Sequence, residues 1–109
     1  MKYTVEAMLT QLGYSFNESV KVQMERIIKN TKDFLTIQKH IVQLSDALKP
    51  FQAHIAMSNS NDYLKIKNES EKNSIKTVDN IIHDWAQKYK IALKKVDGKN
   101  TYYILGFKS

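Results

Sequence analysis

Apolar side chains return every three or four residues along the first half of the chain. Val5, Met8, Leu9 and Leu12 do so first. Thr4 stands where a cap would sit and Gly13 where a terminating glycine would, which predicts a helix over residues 5–12. Residues 14–17 read as a connector in which Ser15 or Asn17 caps the next helix; Glu18, three residues after Ser15, completes a capping box if that helix starts at Ser15. From there Val20, Met24, Ile27, Thr31, Phe34, Gln38, Ile41, Ser45 and Leu48 keep a 4-3 alternation, widened by Ile28, Leu35, Val42 and Leu44. The pattern predicts one helix over about residues 17–48, roughly 48 Å long at 1.5 Å per residue, or two helices broken near Asn30-Thr31. The polar members Thr31, Gln38 and Ser45 weaken a two-stranded zipper and favour a wider bundle-type surface.

Pro50 ends this helix near Lys49, because it lacks a backbone donor and restricts the residue before it. Residues 51–57 place Phe51 and Ile55 four apart and read as one or two more helical turns. Residues 58–62, Ser-Asn-Ser-Asn-Asp, form a loop by composition. Residues 63–67 alternate as a short strand, with Leu64 and Ile66 inward and Tyr63, Lys65 and Lys67 outward.

After the polar stretch 68–74, in which Ser70 or Ser74 is the candidate cap, Ile75, Val78, Ile82, Trp85 and Tyr89 repeat at helical spacing over about four turns. Asp79, Asn80, His83 and Asp84 fall on the opposite, polar side. Residues 90–107 then read as a hairpin around Asp97-Gly98. A two-residue turn there pairs Val96 with Lys99, Leu93 with Tyr102 and Ile91 with Ile104, and a different turn length shifts that register. In the two-residue register Ile91, Leu93, Tyr102 and Ile104 share one side; Ala92, Lys94, Val96, Tyr103, Leu105 and Phe107 share the other.

The expected architecture is therefore α+β: a helical N-terminal half with a long or kinked helix, then a helix and a C-terminal antiparallel hairpin, to which residues 63–67 add a third strand. A helix followed by a basic hairpin is also the order that ends a winged-helix module, with residues 75–89 as the groove helix and 90–107 as the wing. That is an analogy of element order.

Length changes this picture little: 109 residues suit a single domain, and 42% hydrophobic residues supply a core. The absence of Cys excludes disulfides, thiolate nucleophiles and cysteine metal sites. The N-terminal residues do not read as a signal peptide, and no apolar run approaches the roughly 20 residues that span a bilayer. A cytoplasmic protein without membrane association is expected.

Charge is more telling by location. The chain carries a net +6. Residues 1–50 hold seven basic and five acidic side chains, whereas residues 86–108 hold six Lys against Asp97 alone. The excess is concentrated in the last helix end and hairpin. Lys94, Lys95 and Lys99, with Tyr102 and Tyr103 on the returning strand and Lys65 and Lys67 on the strand before, form a candidate set of phosphate and base contacts. Arg26 is the one arginine, so bidentate reading of guanine is weakly provided for.

Catalytic chemistry finds no pattern. His40, His54 and His83 make no repeated ligand spacing, Asp79 with His83 being the one i,i+4 carboxylate–imidazole pair. No serine elbow or glycine-rich phosphate loop is present. The sequence thus predicts a non-enzymatic nucleic-acid-binding or regulatory protein without metal or cofactor. Dimerisation through residues 20–48 accompanies that reading. The competing expectation is an interaction or adaptor module whose long helix is the partner surface. In either case Met24, Ile27, Phe34, Ile41 and Leu48 form the contact stripe toward a second copy or a helical partner.

Overall fold

The computed structural model describes residues 4–58 and 61–108. Tyr3, expected beside the first helix, and Asn59 and Ser60 of the expected loop lie outside them. Helix α1, Val5–Gln11, starts at Thr4, whose hydroxyl accepts the Ala7 amide at 3.1 Å. The chain leaves it through Gly13 at φ 89°, a left-handed conformation that a side chain disfavours. Helix α2, Glu18–Asn30, is capped by Asn17 rather than Ser15, the Asn17 side-chain oxygen accepting the Val20 amide at 2.9 Å.

Of the two expected arrangements for the long apolar stripe, the broken one is found. Thr31 is extended, Asp33 turns left-handed at φ 51°, and helix α3 occupies Phe34–Leu48. The cause of the break is tertiary. Lys32 forms a one-residue parallel bridge to Gly106: its carbonyl accepts the Phe107 amide at 3.0 Å and its amide donates to the Leu105 carbonyl at 3.4 Å. A continuous helix would keep those groups for its own i,i+4 bonds.

Residues 51–57 correct a second expectation. Ala53–Met57 is a strand, β1, paired antiparallel with β2, Leu64–Asn68. The interval between Phe51 and Ile55 imitates a helical turn, but burial follows a period of two, with Ala53, Ile55 and Met57 inside and His54 out. Helix α4, Ile75–Lys88, follows, then β3, Ile91–Lys95, and β4, Thr101–Phe107. The four strands form one antiparallel sheet in the order β1-β2-β4-β3, so the expected addition of a third strand to the hairpin is present.

The hairpin register differs from the two-residue turn. Val96 donates to the Thr101 carbonyl at 2.8 Å, which leaves residues 97–100 as the loop. Leu93 then faces Ile104 and Lys95 faces Tyr102. A slip of two keeps each residue on its expected face, because side chains alternate with the same period. Between Ala92 and Leu93 a register shift sets Phe107 opposite Ile91, where it packs against the core, not on the outer side with Ala92.

The helices cover one face of this sheet. Met24, Ile27, Phe34, Ile41 and Leu48, the expected contact stripe, are interior to the chain, none more than 3% exposed. They pack in one cluster with Ile55, Leu64, Ile66, Ile82 and Ile104. Each such aliphatic side chain contributes about 1.5–3 kcal/mol on burial, a gain that a solvent-facing partner stripe would forgo. Two polar members of the stripe went inside with it: the Thr31 hydroxyl and the Gln38 amide nitrogen are buried without a hydrogen-bond partner among the described residues.

Helix α4 is held by polar contacts at both ends. Asn68, buried at the end of β2, donates to the Asp79 carboxylate at 3.0 Å and to the Ile75 carbonyl at 3.1 Å, and its side-chain oxygen accepts from Ser70. Ser70 is thus not a helix cap, and Ser74, at the cap position, makes no side-chain capping bond. Asp79 faces the sheet rather than the polar side expected for it. At the other end Trp85 donates its indole N–H to the His40 carbonyl at 2.8 Å, while the His40 ring stacks on Tyr89 with centroids 3.7 Å apart.

Candidate nucleic-acid interface on the open sheet face

Alternation along the strands decides which candidate residues meet. In β2 the inward residues are Leu64, Ile66 and Asn68, so Lys65 and Lys67 point to the uncovered face. Tyr103 stands directly opposite Lys65 on β4, and Lys94 opposite Tyr103 on β3. Ala56 of β1 extends the row beyond Lys65. The order Ala56, Lys65, Tyr103, Lys94 therefore crosses all four strands, and with strands about 4.8 Å apart the two lysines flank the tyrosine at roughly 10 Å from each other. A second row sets His54 opposite Lys67 and Lys67 opposite Thr101.

Two aromatic rings share this face. Tyr63, just before β2, lies with its centroid 6.1 Å from that of Tyr103 at 44°. The Tyr103 hydroxyl accepts from the Asn61 side chain at 3.2 Å. The loop carrying Asn61 is itself tied to α2: Asn30 donates to the Asp62 carbonyl at 3.0 Å, Gln23 to the Ser58 carbonyl at 3.0 Å, and Arg26 lies 3.6 Å from the Asp62 carboxylate. The aromatic pair thus rests on a braced loop.

The charges on the face are unequal. Lys67 lies 3.4 Å from Glu69, which also sits 3.9 Å from His54. Among the described residues Lys65, Lys94, Lys95 and Lys99 are not ion-paired. The available positive charge is therefore carried by Lys65 and Lys94 beside Tyr103, with Lys99 in the hairpin loop.

Not every candidate joins them. Tyr102 is 5% exposed and faces the helices, with its ring edge-on to His83 at 5.3 Å. Its phenol donates to the Asp79 carboxylate; burial first, then the negative charge and hydrogen bond of Asp79, raises its pKa. Lys95, opposite Tyr102, is on that same helix-covered side. The expected set of seven is thus split by the sheet, with Lys65, Lys67, Lys94 and Tyr103 on the open face.

Reading from sequence missed His54 and Ala56, because residues 51–57 imitated a helix; the alternation of Ala53, Ile55 and Met57 was the signal that could have found them. It also missed Glu69 as the partner of Lys67, although residues two apart on an extended chain share a face. The Asp79–His83 pair is not a carboxylate–imidazole contact: His83 Nδ1 lies 2.8 Å from the Asp79 backbone carbonyl. Since a carbonyl only accepts, Nδ1 is the protonated nitrogen.

Among the described residues no group of three or more His, Asp or Glu is placed to hold a metal ion, and no helix is long and apolar enough to cross a membrane. Comparison of the chain with protein-family models, with curated proteins and with solved structures finds no match.

Proposed function

We propose that this protein binds single-stranded nucleic acid on the open face of its sheet, without catalysis. The observation that supports the reading is the row in which Lys65 and Lys94 flank Tyr103. An aromatic ring offers a stacking surface to any base, and lysines on either side take the phosphates that run past it. A four-stranded sheet with helices on one face presents such a row on the other.

A winged-helix mode of duplex binding fits this arrangement less well. Strands β3 and β4 are fused into the larger sheet through β2 instead of projecting as a free wing. The candidate groove helix α4 carries Asp84 on its exposed side, which repels phosphate. The adaptor reading loses the surface it relied on, since the five residues named for it are buried.

The test is fluorescence anisotropy of a labelled single-stranded oligonucleotide and of the matching duplex at two salt concentrations. The expected result is preference for the single strand and weakening by salt, with K65E/K94E lowering the salt slope by about 1.4, two phosphate contacts at about 0.7 each. Y103A is expected to cost about 1–3 kcal/mol, the worth of one stacked base. No binding of either nucleic acid at low salt, or equal binding by K65E/K94E, overturns the proposal.

A further inference from the structure

The helix-covered side of the sheet contains a second feature that the open face does not explain. Where α4 approaches the edge strand β3 they leave a groove of about 410 Å³, within the roughly 300–1,000 Å³ range of small-molecule sites. Its floor is apolar: Ala86 from α4, Ile91 and Leu93 from β3, and the Tyr102 ring from β4. Tyr102 is 5% exposed there, and the His83 ring stands perpendicular to it at 5.3 Å. The floor is therefore built from side chains held by neighbouring structure.

The rim carries one sign of charge. Lys95 closes the groove where β3 ends, and Lys108 closes it just past β4, where its amide donates to the Lys90 carbonyl at 2.7 Å. Since Ile91 pairs with Phe107, which sets Lys108 beside Lys90, and Lys95 pairs with Tyr102, the two lysines mark opposite ends, about 17 Å apart along the strand. Among the described residues no carboxylate lines the groove. Asp79, one turn before His83, is turned to Asn68 and Tyr102, and neither lysine has an ion-pair partner among the described residues.

An apolar floor between two unpaired ammonium groups suits one chemical class of ligand. We propose that this groove binds an amphipathic organic anion, its ring or branched hydrocarbon body laid on Leu93 beside Ala86 and its acidic group paired with one of the two rim lysines. A neutral apolar molecule leaves both charges uncompensated, and a cation is repelled by them. This site lies across the sheet from Lys65 and Tyr103 and stands whether or not nucleic acid binds there.

The probe is 8-anilinonaphthalene-1-sulfonate, titrated into the full chain with fluorescence and with amide chemical shifts as readouts. Saturable binding is expected, with the largest shifts at Ala86, Leu93 and Tyr102. N-phenyl-1-naphthylamine, which keeps the rings and lacks the sulfonate, is expected to bind at least tenfold more weakly. K95Q/K108Q is expected to raise Kd at least tenfold, whereas K65E/K94E on the other face stays within twofold of wild type. Absence of saturation, shifts centred elsewhere, equal binding of the uncharged probe, or equal loss in K65E/K94E overturns the proposal. The wild-type shift map and the uncharged probe decide it even if the double variant fails to fold.

Discussion

Gly106 lies against the backbone of Lys32 so closely that a Cβ at this position would stand 2.6 Å from the Lys32 nitrogen and 2.7 Å from its carbonyl oxygen. Its φ of 137° is also one that side chains rarely adopt. The contact joins the break between α2 and α3 to the strand at the sheet's centre. Gly106→Ala is expected to cost at least about 2 kcal/mol, backbone strain and steric displacement combined. Gly98→Ala, at φ 74° with nothing within 4 Å of the added carbon, carries the strain alone and should cost about 1 kcal/mol. Urea unfolding of the two variants checks the order; equal losses would show that the Lys32 contact is not what constrains Gly106.

Adjacent positions on α3 separate core from surface. Phe34 is 3% exposed and Leu35 59%. Phe34→Ala is expected to lose about 3–5 kcal/mol, and Leu35→Lys to change stability by no more than about 0.5 kcal/mol. Thermal unfolding measures both. Sedimentation of Leu35→Lys and wild type at one concentration additionally reads whether this exposed leucine supports self-association, in which case the variant's mass would fall.

Gln38 is an interior amide whose nitrogen has no partner among the described residues. Gln38→Met keeps the volume and removes the unsatisfied donor, so a gain of about 1 kcal/mol is expected. A denaturation midpoint below that of wild type would show that the amide is paired in solution, by a bound water or otherwise.

Tyr102 gives the fold a pH dependence at the alkaline end. Its pKa is raised in the folded state, so the folded chain holds this proton more tightly than the unfolded chain. The contribution is complete below the unfolded value of about 10 and falls as pH rises from there through the folded value. Tyr102→Phe should cost about 1–2 kcal/mol at neutral pH, because Asp79 loses a donor. The difference in stability between wild type and variant should shrink above pH 10.

These relationships also mark what a linear reading reaches. The helices around Val20–Leu48 and Ile75–Tyr89 were legible because their apolar period is long. The strand at 63–67 and the faces of the hairpin were legible because alternation survives a slip of two residues. The break at Thr31–Asp33 was legible only as an alternative, since its cause, Gly106, is more than 70 residues away. The strand β1 was hidden by an apolar interval that both periods share. The candidate site was half legible: spacing gathered its lysines and tyrosines, but which of Tyr102 and Tyr103 faces solvent depended on which side the helices cover.

The strand order has a consequence for synthesis. β2 finds its second neighbour, β4, only after α4 and β3 have been made, since Asn68 and Thr101 are separated by those two elements. At about 5–20 residues per second on the ribosome, the edge of β2 waits about 2–7 s before residue 101 follows residue 68. During that interval Lys65 and Lys67 sit on an open strand edge, where charged side chains discourage pairing with another nascent chain. The lysines that face Tyr103 and Thr101 in the finished sheet thus guard the unfinished one.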